Sequence, residues 1–166
     1  MTAKDYLKQV ARWRRKIESI EAMSRDRIER QTEELERLYH LAGGLKAITY
    51  DRDIVQVSPE NRLEAICVQI EEASTKVSQA VMKERLEAGK KVRAYEEKIQ
   101  VIADQIAGME KEDHAEILRL RYLETEADGR QMRLERIACV MNRTFDRVRH
   151  LHGEALEEFR RKYLKS

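Results

Sequence analysis

The side chains best suited to recognition chemistry in this sequence are Thr144, Phe145, Asp146, Arg149 and His150. Arginine can donate two parallel hydrogen bonds to guanine. Aspartate can accept from cytosine, and threonine or phenylalanine can touch the methyl group of thymine. The flanking cations Arg136, Arg143, Arg147, Arg160, Arg161 and Lys162 are candidates for contacts to backbone phosphates. A carboxylate at Asp146 repels phosphate, so the group suits sequence-dependent binding better than nonspecific binding.

Such side chains need a rigid support, and residues 134–153 have the spacing of a helix-turn-helix. In that motif a small residue sits where the second helix crosses the first. Here Ile137-Ala138 supplies an apolar-small pair and Met141 the next core contact. The turn calls for positive φ, which Asn142 adopts more readily than other non-glycine residues. Thr144 can cap the second helix, and Val148 and Leu151 provide two apolar anchors three apart. Ala155, Leu156 and Phe159 extend the stripe. With that stripe buried, helical periodicity turns Thr144, Phe145, Asp146, Arg149 and His150 toward a major groove, with Gly153 one turn further along. Arg143 departs from the pattern, because such turns usually carry an apolar residue there; it can instead point outward to a phosphate.

The elements upstream read as an all-α chain. From about residue 3 to 42, Leu7, Val10, Ile17, Ile28, Leu35, Leu38, Ala42 and Leu45 fall on one heptad seam. Arg14, Glu21, Ser24 and Gln31 interrupt it, while Ile20 and Met23 lie beside it. The spacing predicts an amphipathic helix about 60 Å long, ended by Gly43-Gly44. An irregular connector follows over 43–58, where Ile54, Val55 and Val57 could briefly be extended. Ser58 then caps a second helix with Pro59 as its first residue. Leu63, Ile66, Ile70, Ala73, Val77, Ala80 and Val81, then Val92, Tyr95, Ile99, Ile102, Ile106 and Met109, predict a helix over 59–110, with a bend or break at Gly89. Two such stripes bury each other most simply as an antiparallel helical hairpin. The expected domains are therefore a hairpin or coiled coil over 1–110 and a small helix-turn-helix domain over 111–166. In the latter, residues 116–123 form a short helix and a loop turns at Asp128-Gly129.

Composition agrees with helices: one proline, six glycines and 5% aromatic residues disfavour a mixed α/β domain. Net charge is only +2, yet residues 130–166 carry ten Lys/Arg against five Asp/Glu, which points to a polyanion contact at that end. No apolar run reaches the length of a membrane span and no signal-peptide core opens the chain, so a cytoplasmic location without membrane contact is expected. Cys67 and Cys139 read as free thiols, the latter semi-buried. His150 and His152 diverge on a helix, and His40 and His114 have no cysteine nearby, so neither metal nor cofactor is expected. With no glycine-rich phosphate loop and no nucleophile–base arrangement, the chain is not expected to be an enzyme. Trp13, within Arg12-Trp13-Arg14-Arg15-Lys16, belongs either to a basic patch touching a partner or, the favoured reading, to the hairpin's packing.

The segment Arg121-Tyr122-Leu123, then Ile137-Ala138, then Val148 through Leu156 resembles the region-4-type helix-turn-helix of bacterial sigma factors. It is more closely similar to phage and prophage regulators of the ArpU/RinA type. That resemblance covers roughly residues 114–160, and the coiled-coil half with its ITYDRDIVQVSPEN connector is similar to the variety found in Gram-positive prophages. It implies control of phage gene expression in the bacterial host cell through double-stranded promoter DNA or host RNA polymerase. The hairpin would then serve a homodimer or the polymerase contact. The competing expectation is a protein-binding inhibitor or adaptor of another host protein, such as a phage counter-defence protein, whose helix-turn-helix only autoregulates. A structural coiled-coil protein of the virion is a third.

Overall fold

Thr2 opens the first helix: its hydroxyl accepts the Asp5 N–H at 3.1 Å, and α1 spans Ala3–Leu7. The computed structural model describes residues 2–48, 59–126 and 130–164, and among these the chain is all-α. After Lys8, α2 runs over Gln9–Ile48 and α3 over Pro59–Ala107. Pro59 stands at the first helical position, where its missing N–H has no intrahelical acceptor to lose. Then come α4 (Glu112–Leu118), a π-helical turn (Arg119–Leu123), α5 (Leu134–Val140) and α6 (Phe145–Tyr163). Among the described residues no helix is long and apolar enough to cross a membrane.

Several sequence expectations need correction. Gly43-Gly44 do not end α2, which continues to Ile48. A glycine inside a helix costs about 1 kcal/mol relative to alanine, and helical neighbours on both sides absorb that. Gly89 likewise lies within the continuous α3. The short helix expected from residue 116 begins at Glu112, where Glu112 and Asp113 place two carboxylates at its positive end. Its continuation is a π turn, which allows Leu120 and Tyr122, two residues apart, both to be buried. Cys139 is exposed, as is Cys67, because Ile137 and Ala138 take the inner face of α5. Residues 54, 55, 57 and 58 and the turn at 128–129 lie outside the described residues, as do the side chains of Leu38, Ala42, Leu45 and Leu63.

The chain divides into two compact units, one made of Met1–Glu18 and Val92–Ser166 and the other of Ser19–Lys91. The unit that contains 111–166 therefore also takes in the first eighteen residues and the last turns of α3. Its core brings Leu7 and Val10 together with Ile102 and Ile106, then Ile117, Leu118, Ile137, Val148, Leu151 and Phe159. Phe159, fully buried, has Tyr6 at 6.1 Å and Tyr163 at 5.1 Å between ring centroids. Trp13 is half-buried, but against this core shared with the C-terminal helices and not within a hairpin as expected.

The second unit is thinner. Its α2 segment turns Ser24, Ile28, Gln31 and Leu35 to the less exposed side, and its α3 segment does the same with Ile66, Ile70, Ala73, Val77 and Ala80. Only Ser24 and Ile70 are buried among its described residues. Arg27 and Glu84 pair across it at 3.2 Å.

Candidate nucleic-acid interface

The connection between α5 and α6 follows from its backbone hydrogen bonds. Asn142 has φ 50°, the one positive value at a non-glycine residue among the described residues. Its N–H donates to the Cys139 carbonyl at 3.2 Å, and the Arg143 N–H donates to the Ala138 carbonyl at 3.0 Å. Together they satisfy two carbonyls left open at the end of α5, in the pattern of a Schellman cap. The position after such a cap commonly packs an apolar side chain back onto the helix. Arg143 instead lies on the surface, 3.8 Å from Asp113 of α4. Thr144 then caps α6, its hydroxyl accepting the Arg147 N–H at 3.4 Å.

Burial on α6 sorts its residues by face. Val148, Leu151, Ala155, Glu158 and Phe159 are buried. Thr144, Phe145, Asp146, Arg149, His150 and Gly153 are all exposed, and Arg149 and Asp146 stand 3.8 Å apart as a loose pair one turn apart. A Cβ added at Gly153 would meet no neighbouring atom. Phe145 is 41% exposed, a large apolar group at the solvent-facing start of the helix.

The six candidate phosphate contacts divide into two groups. Arg136, Arg143 and Arg147 are exposed on α5, in the turn and on the first turn of α6. Arg160, Arg161 and Lys162 lie thirteen or more residues beyond Arg147, roughly 20 Å along the axis. Arg160 is already paired with Glu157 at 2.8 Å, and Lys162 donates to the Gly108 carbonyl at 2.7 Å. Of the distal group, Lys162 thus ties α6 to the turn after α3, while the Arg160 pair lies within α6 itself.

Polar groups under this surface were not anticipated from sequence. His114 of α4, 2% exposed, donates from Nδ1 to Glu158 Oε2 at 2.6 Å, and its Nε2 lies 3.4 Å from Glu154 Oε2. Glu158 Oε1 accepts the Glu110 N–H at 2.9 Å. Burial raises the Glu158 carboxyl, but its hydrogen bonds to His114 and to the backbone outweigh that and hold it below the ordinary carboxylate value. Position 158 lies among the buried positions 151, 155 and 159, and a carboxylate there was the available indication that a buried partner exists. His152, on the flank of α6, stacks on Tyr122 with centroids 5.9 Å apart and accepts from its hydroxyl at 3.2 Å. Burial, aided by the positive charges of Arg121 and Lys4, pushes His152 down to about 4. Burial pushes Tyr122 up to about 12.

Among the described residues no three His, Cys, Asp or Glu side chains are grouped so as to hold a metal ion. No protein-family model, curated protein or solved structure matches this chain.

Proposed function

We propose that the protein is a DNA-binding transcription regulator of the phage type, in which α5, the Asn142 turn and α6 form a helix-turn-helix. In this reading α6 enters a major groove with Thr144, Phe145, Asp146, Arg149 and His150 facing base edges, and Arg136, Arg143 and Arg147 meet phosphates beside it. The long helices α2 and α3 form an antiparallel hairpin that serves dimerisation or contact with host RNA polymerase. The observation that carries the proposal is the combination at one site of a left-handed Asn142, a capped α6 with Val148 and Leu151 buried, and an unobstructed polar face opposite them. A buried anchor face and a free reading face are the two requirements of a recognition helix.

Selection of DNA ligands by the full-length protein tests the proposal. A recovered palindrome whose half-sites are one helical turn apart, or a multiple of it, is expected for a two-fold dimer. The selected site should lose binding in Arg149→Ala and in Arg147→Ala, the first with relaxed preference at one base pair and the second uniformly. Selection that enriches no sequence rules the proposal out.

A second reading is favoured by the exposed apolar side chains of the long helices. Met23, Met82 and Leu86 are 60%, 75% and 59% exposed, large apolar groups open to a partner. They suit a protein-binding inhibitor or adaptor. Capture of a host protein by the Arg147→Ala/Arg149→Ala chain would support that view. Deleting residues 111–166 is unsuitable, since it would strip Leu7, Val10, Ile102 and Ile106 of their core partners.

A further inference from the structure

The sequence around Trp13 is rich in arginine, and the structure gives those arginines an opposing wall. Thr125 and Gln131 pair as an antiparallel bridge, and the Glu126 N–H donates to the Arg130 carbonyl at 2.8 Å, which together make a small wing. The two ends of this wing are held by guanidinium groups: Arg14 donates to the Leu123 carbonyl and Arg121 to the Met132 carbonyl. Between the wing and the start of α2 lies a cleft of about 690 Å³, within the ~300–1,000 Å³ of ordinary ligand sites. Among its described lining residues, Lys8, Arg12, Arg14, Arg15 and Arg130 stand beside one carboxylate, Glu18. Among the described lining residues Ala11 is the apolar one, and its side chain is too small for the kind of anchor that peptide recognition relies on. The enclosed Gln131 Nε2 on the wing finds no acceptor.

Lys8, Arg12, Arg14 and Arg15 crowd one side of the cleft and repel one another, and a polyanion relieves that repulsion. Three of these four are arginines, whose planar fork matches phosphate oxygens. Arg12 and Arg15 of α2, with Lys8 just before that helix, recur at the spacing of successive helical turns, which suits a linear array of phosphates better than a single ion. We infer that this cleft is a second DNA contact, in which the wing and the first turns of α2 grip the phosphodiester backbone without reading sequence. The inference shares with the preceding section only the premise that the protein binds DNA; it does not depend on α6 as the reading helix.

The test uses full-length protein, duplex DNA of selected and unrelated sequence, and a series of salt concentrations. Arg12 and Arg15 are exposed, so Arg12→Gln/Arg15→Gln should leave thermal unfolding unchanged. It should weaken binding equally for all sequences and reduce the slope of log K against log salt by about two, near 0.9 per lost phosphate contact. Glu18→Gln should act in the opposite sense and tighten binding to every duplex. If wild type and the double variant show the same slope, the inference is overturned while the helix-turn-helix reading stands. If binding survives Arg149→Ala/Arg147→Ala unchanged but is lost in the Arg12/Arg15 variant, the cleft holds and the reading helix fails. A wild-type protein that binds no duplex overturns both. Variants that lose affinity for poly-glutamate but not for DNA overturn it in favour of an acidic protein partner.

Discussion

At the scale of single residues, Asn142 decides whether α5 can hand over to α6. Its side chain is exposed, so what it contributes is backbone: a φ of 50° that costs a β-carbon-bearing residue about 1–2 kcal/mol in most cases. Asn142→Ala should therefore lower unfolding free energy by about 1–2 kcal/mol, and Asn142→Gly should keep or raise it, both measured by urea titration. His152 sets a second expectation. Its folded value of about 4 lies below the ordinary 6.5, so the unfolded chain takes up the proton first as pH falls. Stability should be full above pH 6.5 and decline between about 6.5 and 4. His152→Phe should flatten that interval, and thermal melts across the range read it directly. Asn142 and Thr144 were legible from sequence because their roles are local. His152 was not, because its value depends on burial and on the charges of Arg121 and Lys4, which are distant in sequence.

At the scale of elements, α4 and α6 are tied by a buried polar pair. The His114 and Glu158 side chains are 3% and 7% exposed, and removing either leaves the other buried without its partner. His114→Ala or Glu158→Ala should cost about 3–5 kcal/mol, whereas His114→Leu/Glu158→Leu should recover most of that loss. A double-mutant cycle separates the two outcomes. Glu158 also accepts from the Glu110 amide, and Lys162 donates to the Gly108 carbonyl, so the far end of α6 secures the turn after α3. Gly108 admits this closeness: a Cβ there would stand 2.8 Å from the Tyr163 hydroxyl. Apolar periodicity located the buried sides of α2, α3 and α6 well, since each stripe records a continuous face. It located ends less well. Gly43-Gly44 lie inside a helix, and the acidic start of α4 at Glu112 lies four residues ahead of the apolar pattern.

At the scale of the whole molecule, the unexpected feature is which segments share a core. Periodicity along one chain records that a face is buried but not against what. Leu7 and Val10 read equally well as the start of a long coiled-coil seam and as what they are, members of a core with Phe159 and Ile137. The basic cleft escaped notice for the same reason: Arg12 and Arg15 face Arg130 only after the chain has returned more than a hundred residues later.

That return has a consequence for biosynthesis. Tyr6 leaves the ribosome more than 150 residues before Phe159, the ring it packs beside. At ~5–20 residues per second, this delay is roughly 8–30 s. Throughout it, the apolar face of Ala3, Leu7 and Val10 has no Phe159 to cover it, so the nascent chain is most exposed to misassociation before α6 is made.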